Sequence, residues 1–422
     1  MEIMKSNSLA TVILRPGEAD RVLAGHPWVY QGAILRTTRP PADGEVVQVK
    51  DHRHRLLGVG FYNARSKIQV RMLAAGRREI DGAFFRERIA AALDVRRRHL
   101  PEASSFRVVN AEGDFLSGLI VDKYEDVLVV QMSSLGMSQR RGMIGDVLQA
   151  LLQPRGVIER HDPGAQRFEG MTGSLPIEGS DEPAPPEGDP PGPGAGKGEP
   201  IEVKLNGLRF ELHPGLGHKT GLYLDQQENY RRVAELAKDA SVLDCFSYEG
   251  GFALHAARAG AREVRGLDQS AEAVAAAERN AQRNGLADRC QFEAANVFDW
   301  LKSQTRTGAH EKLVPRLDLV VLDPPSFTRN RASVPDALRG YKEIHLRAMK
   351  LLKPGGRLAT FCCSHHVDAR MFQEVILEAA FDARRWLRRI AVYAQSPDHP
   401  VLPAVPETEY LKGFAFEVLL PA

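Results

Sequence analysis

Five apolar runs in the C-terminal half of this 422-residue chain end in groups that can bind or react. The run SVLDC reaches Asp244 and leads into Phe246, Ser247, Tyr248, Gly250 and Gly251, and EVRGLD ends at Asp268. QFEAAN ends at Asn296, followed by Val297; DLVVLDPP ends at Asp323-Pro324-Pro325; and RLATFCCS carries Cys362 and Cys363. A glycine pair lets the main chain approach a bound molecule closely, and an acid about 20 residues further on accepts hydrogen bonds from ribose hydroxyls. Gly250 and Gly251 with Asp268 therefore point to a nucleoside cofactor. The spacing is not the G-x-G-x-x-G that a pyrophosphate requires. S-adenosylmethionine, which has no phosphate and offers an ammonium to a carboxylate, fits better than NAD. Asn296 can read an adenine amino group, although Asn is also a common turn former. Two prolines after the fourth run stiffen the loop and remove two amide donors, leaving the Asp323 carboxylate and nearby carbonyls turned toward a ligand.

The four cysteines are Cys245, Cys290, Cys362 and Cys363. In a chain of this length they do not make a disulfide framework, and without C-x-x-C pairs no metal site is expected. Successive strand residues point to opposite faces, so one of Cys362 and Cys363 can face a ligand while the other packs. Cys245 and Cys290 read as small core residues. His365 and His366 lie close enough in sequence to serve a thiol as base, but a His pair in a loop is more often plain polar surface.

The elements that must position these groups follow from periodicity. From residue 240 onward strand and helix patterns alternate, which predicts an α/β fold with a doubly wound parallel sheet. Ahead of it, IEVKLNGLRFELHP reads as a hairpin around Asn206-Gly207. Residues 9–75 carry short alternating strands (TVILR, EVVQV, LLGVGFY, IQVRML), a small β domain. Residues 81–99 read as an amphipathic helix with a basic C-terminal end, followed by three strand-like runs and a helix around 138–152. Between the halves, residues 178–200 are Pro, Gly and acid with almost no large apolar side chain, the composition of a disordered linker. The expected domains are thus 1–78, 79–177 and 201–422, with 178–200 as linker.

A formal charge of +2 hides an uneven distribution: residues 1–100 hold 18 Lys+Arg against 10 Asp+Glu, and residues 101–200 hold 8 against 16. Clustered positive charge suits a polyanion such as RNA, and also suits a solvated Arg-rich helix. With 43% hydrophobic and 26% charged residues, no run near the length of a membrane span and no apolar leader, the expectation is a cytoplasmic protein without membrane contact.

Taken together, Asp-x-Phe-Ser-Tyr-x-Gly-Gly-Phe, the Asp-Pro-Pro-Ser-Phe loop, Thr360-Phe361-Cys362-Cys363-Ser364, His218-Lys219-Thr220-Gly221-x-Tyr223-Leu224-Asp225-Gln226 and the tail from Asp398-His399-Pro400 to Tyr410-Leu411-Lys412-Gly413-Phe414 resemble the RlmI-type family of large-subunit rRNA cytosine-5 methyltransferases. The similarity spans nearly the whole chain. It implies an N-terminal PUA domain, a central α+β domain and a Rossmann-like class I methyltransferase domain with a seven-stranded, mostly parallel sheet. Arg21, His26 and Trp28 fall in the segment that resembles the PUA opening, which implies contact with RNA. The resemblance also places Lys219, Tyr223, Asp225 and Gln226 near the methionine end of the cofactor, where Lys219 is a candidate partner for its carboxylate. It selects Cys363, ahead of Ser364, as the nucleophile. Two departures stand out: Asn296 occupies a position where relatives commonly have Asp, and the 178–200 insertion looks peculiar to this chain.

Cytosine carbon 5 is a poor nucleophile, so methylation there needs a thiolate at carbon 6. Asp323 can hold the N3 and amino edge of the base, or help to bind the cofactor. The target base must be unstacked to expose carbon 6. Pro325 lies in the loop beside it, and Arg329, Arg331 and Arg339 can hold surrounding phosphates of large-subunit rRNA. Two rival readings are a guanine-nitrogen methyltransferase, which needs no thiol, and a noncatalytic RNA-binding assembly factor. The sequence leaves homodimerisation open.

Overall fold

The computed structural model describes residues 8–171, 200–213, 221–306, 313–328 and 330–421. The expected linker lies outside the described residues except for Pro200. Two compact units emerge: the first takes the described residues of Met1–Ile201 and His213–Gly221 together with Pro397–Thr408, the second Glu202–Leu212, Leu222–Ser396 and Glu409–Ala422. Part of the segment expected in the C-terminal domain, Pro397–Thr408, is therefore packed into the first unit.

In the first unit a six-stranded sheet runs Trp28–Tyr30, Ile68–Ala75, Leu56–Tyr62, Val46–Lys50, Thr11–Leu14, Ile34–Thr37 from edge to edge. Val47 and Val49 alternate inward as a period of two requires. The helix Gly82–His99 begins where the Asp81 side chain accepts the Phe84 N–H, and its last turn carries Arg96, Arg97 and Arg98, cations at the negative end of the helix dipole. Its Phe84, Phe85, Ile89 and Leu93 pack with Val109, Leu119, Val121 and Val130 of a four-stranded sheet. The helix expected around 138–152 is two helices, Leu135–Ser138 and Arg141–Leu152.

The second unit carries a seven-stranded sheet. In chain order its strands are Ser241–Cys245, Glu263–Asp268, Cys290–Ala294, Leu317–Leu322, Leu352–Cys362, Trp386–Tyr393 and Lys412–Leu419. Across the sheet they run third, second, first, fourth, fifth, seventh, sixth. The first five pair in parallel, and the seventh is antiparallel to both the fifth and the sixth. Ser241–Cys245 is buried along its whole length, as expected of a parallel strand covered by helices on both faces. Helices Gly251–Arg258, Ala271–Arg283, Val297–Thr305, Val334–Leu351 and Ala369–Ala383 follow the first five strands in turn. Crossovers of this kind bring the C-terminal ends of the parallel strands to one edge, so the five motif-bearing ends share it. Among the described residues no helix is long and apolar enough to cross a membrane.

Candidate active site

The last residue but one of the first strand carries a carboxyl with one oxygen spent and one idle. Asp244 is fully buried, and its Oδ2 accepts the Ala253 N–H at 2.9 Å, while Oδ1 is buried with no hydrogen-bond partner. Burial drives this carboxyl well above the usual carboxylate range; the Ala253 amide opposes the shift, and the charges of Asp323 and Asp268 add to it. In the loop beyond, the Ser247 hydroxyl is likewise buried and unpartnered. Phe246 (φ 65°) and Tyr248 (φ 48°) both adopt left-handed backbone conformations, which cost bulky residues on the order of 1–3 kcal/mol each. The Tyr248 N–H donates to Asp268 Oδ2 and the Ser247 N–H to the Leu267 carbonyl, both at 2.9 Å, holding the loop in that shape. Gly250 sits at φ 88°, and a Cβ on Gly251 would come within 2.5 Å of the Tyr230 ring. Strain, a close-packed glycine cradle and two idle buried oxygens mark a place built for a ligand that brings its own donors. An ammonium meets that description, so the residues fit S-adenosylmethionine.

Next to this loop is a polar relay. Gln226 Nε2 donates to Asp323 Oδ2 at 3.0 Å, and Asn229 Nδ2 donates to Gln226 Oε1 at 2.7 Å and to the Ala394 carbonyl at 2.9 Å. Asp225 accepts the Tyr410 hydroxyl at 2.7 Å through Oδ2, and its carbonyl accepts the Ser396 N–H at 2.8 Å. Tyr223 packs edge-on to Tyr248 with ring centres 5.2 Å apart. Burial, with the nearby charges of Asp323 and Asp225, raises its phenol above the ordinary tyrosine value.

Of the four cysteines only Cys363 is not buried. Cys362 points into the core with Tyr341, Val367 and Phe372, so strand alternation separates the two thiols as the sequence required. Cys363 Sγ lies 4.0 Å from the Pro324 carbonyl, which ties it to the Asp-Pro-Pro loop. The Ser364 and Ser326 hydroxyls, 3.0 Å apart, join the same two segments, and the Tyr341 hydroxyl is 3.2 Å from Ser364 Oγ. Lys412 Nζ donates to the Ser364 carbonyl at 2.7 Å. Burial lowers the ammonium below the ordinary lysine value, while the Cys362 and Cys363 thiols and the carboxylates of Asp368 and Glu409 oppose that shift.

Residues 195–412 match the S-adenosylmethionine-dependent methyltransferase family, and residues 12–75 match a PUA-like domain. The chain belongs to the S-adenosylmethionine-dependent methyltransferase family. It is 35% identical, over 97% of its own length and 99% of the relative's, to ribosomal RNA large subunit methyltransferase I of Pseudoalteromonas translucida. In fold it is similar to a candidate methyltransferase solved in complex with SAH (TM-score 0.78, 19% identity, 96% of this chain and 99% of that one). A candidate SAM-dependent methyltransferase from Streptococcus mutans gives a TM-score of 0.76 at 19% identity and the same coverage.

In this methyltransferase, Asp244, Phe246, Ser247, Tyr248, Gly250, Gly251 and Asp268 are brought together in one loop and its neighbouring strand end, and Tyr223, Gln226, Asp323 and Cys363 gather beside them. Lys219 and Arg329 lie outside the described residues. Asn296 is exposed, and its side-chain oxygen caps the helix Val297–Thr305 by accepting from Phe298 and Asp299, leaving its amide donor for a ligand. The Val297 side chain is in the core, so only its main chain can reach a cofactor. Pro325, Arg331 and Arg339 are exposed, with Arg339 paired to Asp336. In the first unit Arg21 is half-exposed and His26 is buried, and both bond to Glu407. Burial lowers the His26 pKa, the hydrogen bond to Glu407 opposing it. Trp28 Nε1 donates to Glu112 at 2.9 Å. His26 is therefore a packing residue that does not present its ring to solvent, whereas Arg21 keeps an accessible charge. His365 and His366 are exposed. Sequence reading missed Asn229, Tyr410 and Lys412; the last two stand in the tail quoted for its resemblance, but their roles depend on which strand and loop they meet.

Asp398 and His399 are buried in the first unit, where Asp398 Oδ2 accepts the Arg107 N–H at 2.8 Å and its carbonyl accepts from Arg96 Nη2 at 2.7 Å. These contacts are structural.

Proposed function

We propose that this protein methylates carbon 5 of a cytosine in large-subunit ribosomal RNA, in the cytoplasm, through a covalent adduct with Cys363. The observation that carries the reading is the accessible thiol at the end of the fifth strand, against the Asp-Pro-Pro loop and beside the cofactor loop, where the other three cysteines are buried. The name and near-full-length match of the relatives supply the RNA class.

When bound, S-adenosylmethionine supplies an electrophilic methyl group. Asp244 and Ser247 would pair its ammonium and Asp268 its ribose, with Asn296 at the adenine. The Cys363 thiolate gives its electron pair to carbon 6 of the base, and the displaced carbon 5–carbon 6 pair makes carbon 5 nucleophilic toward that methyl group. Asp323, held by Gln226, meets the N3 and amino edge of the cytosine, and its carboxyl in the protonated form donates to N3, which stabilises the negative charge that thiolate addition places on the ring. A base then takes the carbon 5 proton; the electrons of that bond restore the double bond as the sulfur–carbon 6 bond breaks and the thiolate leaves. Because a stacked cytosine hides carbon 6, the base must be flipped or single-stranded. Arg331 and Arg339 supply charge for phosphates near the base, and the PUA-like domain, taken by itself, offers Arg21 to RNA.

The test is transfer of labelled methyl to unmodified large-subunit rRNA, with nucleoside mass spectrometry. Wild type should yield 5-methylcytosine, and Cys363→Ala should lose at least about a thousandfold in rate, on the scale of removing a covalent catalyst. A methylguanosine product, or an active Cys363→Ala variant, would overturn the reading.

A further inference from the structure

A carboxyl that meets the edge of a pyrimidine does not by itself tell cytosine from uracil, because either oxygen can accept and, in the acid, either can donate. The two bases differ at the exocyclic position, where cytosine carries an amino group and uracil a carbonyl. An oxygen held there as an acceptor admits the first and rejects the second.

The polarity of Asp323 Oδ2 is set by a chain of amides. Gln226 Nε2 donates to it at 3.0 Å. A primary amide turned by 180° would offer its oxygen instead, so something must hold Gln226. Asn229 stands three residues on, where the turn Leu224–Gln226 runs into the helix Gln227–Ala234, and its Nδ2 donates to Gln226 Oε1 at 2.7 Å. Asn229 is an amide too, but the same Nδ2 donates at 2.9 Å to the main-chain carbonyl of Ala394, just after the sixth strand. A carbonyl can only accept. Turning Asn229 would set its oxygen against that carbonyl, and turning Gln226 would set its NH2 against that of Asn229. The direction of every bond from Ala394 to Asp323 is thereby fixed by the main chain. Gln226 and Asn229 are 3% and 1% exposed, so solvent has little access to reverse it. Asn229 Oδ1 is moreover buried with no hydrogen-bond partner, a cost that a network serving packing alone is expected to avoid.

We infer that Asn229 is a positioning residue for base specificity: through Gln226 it keeps Asp323 Oδ2 an acceptor toward the exocyclic group of the target base, which selects cytosine over uracil. The inference rests on the reading of Asp323 as the group that meets the cytosine edge. An oxygen has two lone pairs, so Oδ2 can accept from Gln226 and from the base amino group together. It does so in the carboxylate and in the acid whose proton lies toward N3. With the relay cut, Oδ2 can carry the proton and donate to a uracil carbonyl.

The experiment gives the full-length enzyme two large-subunit rRNAs, with cytosine or uridine at the position that wild type methylates, and reads the products by nucleoside mass spectrometry. Uracil carbon 5 is open to the same thiolate chemistry, so a relaxed enzyme makes 5-methyluridine. Wild type should make at least about a hundredfold less of it than of 5-methylcytosine. Asn229→Leu and Gln226→Met each remove the directed donor at similar side-chain volume, and two variants keep the test open if one fails to fold. Each is checked by its melting curve and by calorimetry with S-adenosylmethionine. Either should lower kcat on cytosine about tenfold and raise the uridine-to-cytosine product ratio about tenfold or more, the scale of one directed hydrogen bond, with cofactor affinity unchanged. An unchanged ratio overturns the inference even where the rate falls, since a merely structural loss slows both bases alike. Cofactor affinity that falls by the same factor as turnover also overturns it, assigning the relay to cofactor holding. A methylguanosine product from wild type would overturn the proposed function, whereas 5-methylcytosine from wild type with unchanged ratios in both variants would overturn this inference alone.

Discussion

Buried charge is treated in opposite ways in the two units. Arg96 of the first unit is fully buried, yet its Nη1 and Nη2 grip Asp114 at 2.5 and 2.7 Å, its Nε donates to the Arg107 carbonyl at 2.8 Å, and Nη2 also reaches the Asp398 carbonyl at 2.7 Å. Arg107 and Asp122 form a second two-pronged pair at 2.7 and 3.0 Å. At the strand ends of the second unit, Asp244 Oδ1, Ser247 Oγ and Glu249 Oε2 are buried without partners. A paired charge stabilises the fold only modestly against its desolvation, but a buried polar atom left without a partner persists only where something else is gained. The first pattern belongs to architecture and the second to a site awaiting a ligand.

Breaking the architectural side should have the largest effect on stability. Arg96→Met strands Asp114 with only the Asn110 N–H at 2.6 Å, and should cost about 3–5 kcal/mol, read as a lower urea midpoint for the first unit's transition. A loss under about 1 kcal/mol would place Arg96 with ordinary surface residues.

On the site side, Glu249 supplies a pH signature. Burial raises its pKa to about 7 from 4.5, with Glu211 adding to the shift and the Tyr248 hydrogen bond and Arg279 opposing it. A carboxyl raised on folding stabilises most below its unfolded pKa and loses that contribution as pH climbs through the folded one. Between about pH 4.5 and 7 wild type should therefore lose up to about 3 kcal/mol that Glu249→Gln does not lose. Parallel stability profiles for the two proteins would show that Glu249 titrates normally.

Asp244→Asn sharpens the contrast with the smallest expected change. The amide keeps an oxygen for the Ala253 N–H and removes a carboxyl whose ionisation burial opposes, so the melting temperature should be equal or higher, while S-adenosylmethionine binding by calorimetry weakens about 10- to 100-fold, the scale of a charge-assisted bond. Equal affinity would take Asp244 out of the cofactor site.

Much of this was legible early because it is local. Apolar runs ending in Asp244, Asp268, Asp323 and Cys363, alternating with helical patterns, already put those residues on one edge of a parallel sheet. The core assignment of Cys245 and Cys290 agrees with their burial. Asn296 shows the limit: a strand-end Asn can cap the next helix or meet an adenine, and only the structure shows its oxygen on Phe298 and Asp299. The Asp398–His399 pair illustrates another, since its partners Arg96 and Arg107 lie about 300 residues earlier, at separations of 302 and 291.

The sequence by itself determined the element types, the strand ends that bear chemistry and the family, because periodicity and short motifs are written within a few residues. Tertiary structure decided that Cys363 is accessible while Cys362 is core, that Lys412 meets the Ser364 carbonyl 48 residues away, and that Pro397–Thr408 packs with the first unit. Each of those depends on strand register and chain return. Neither is encoded by any one segment; both are settled only when distant segments compete to bury the same surface and pair the same polar groups.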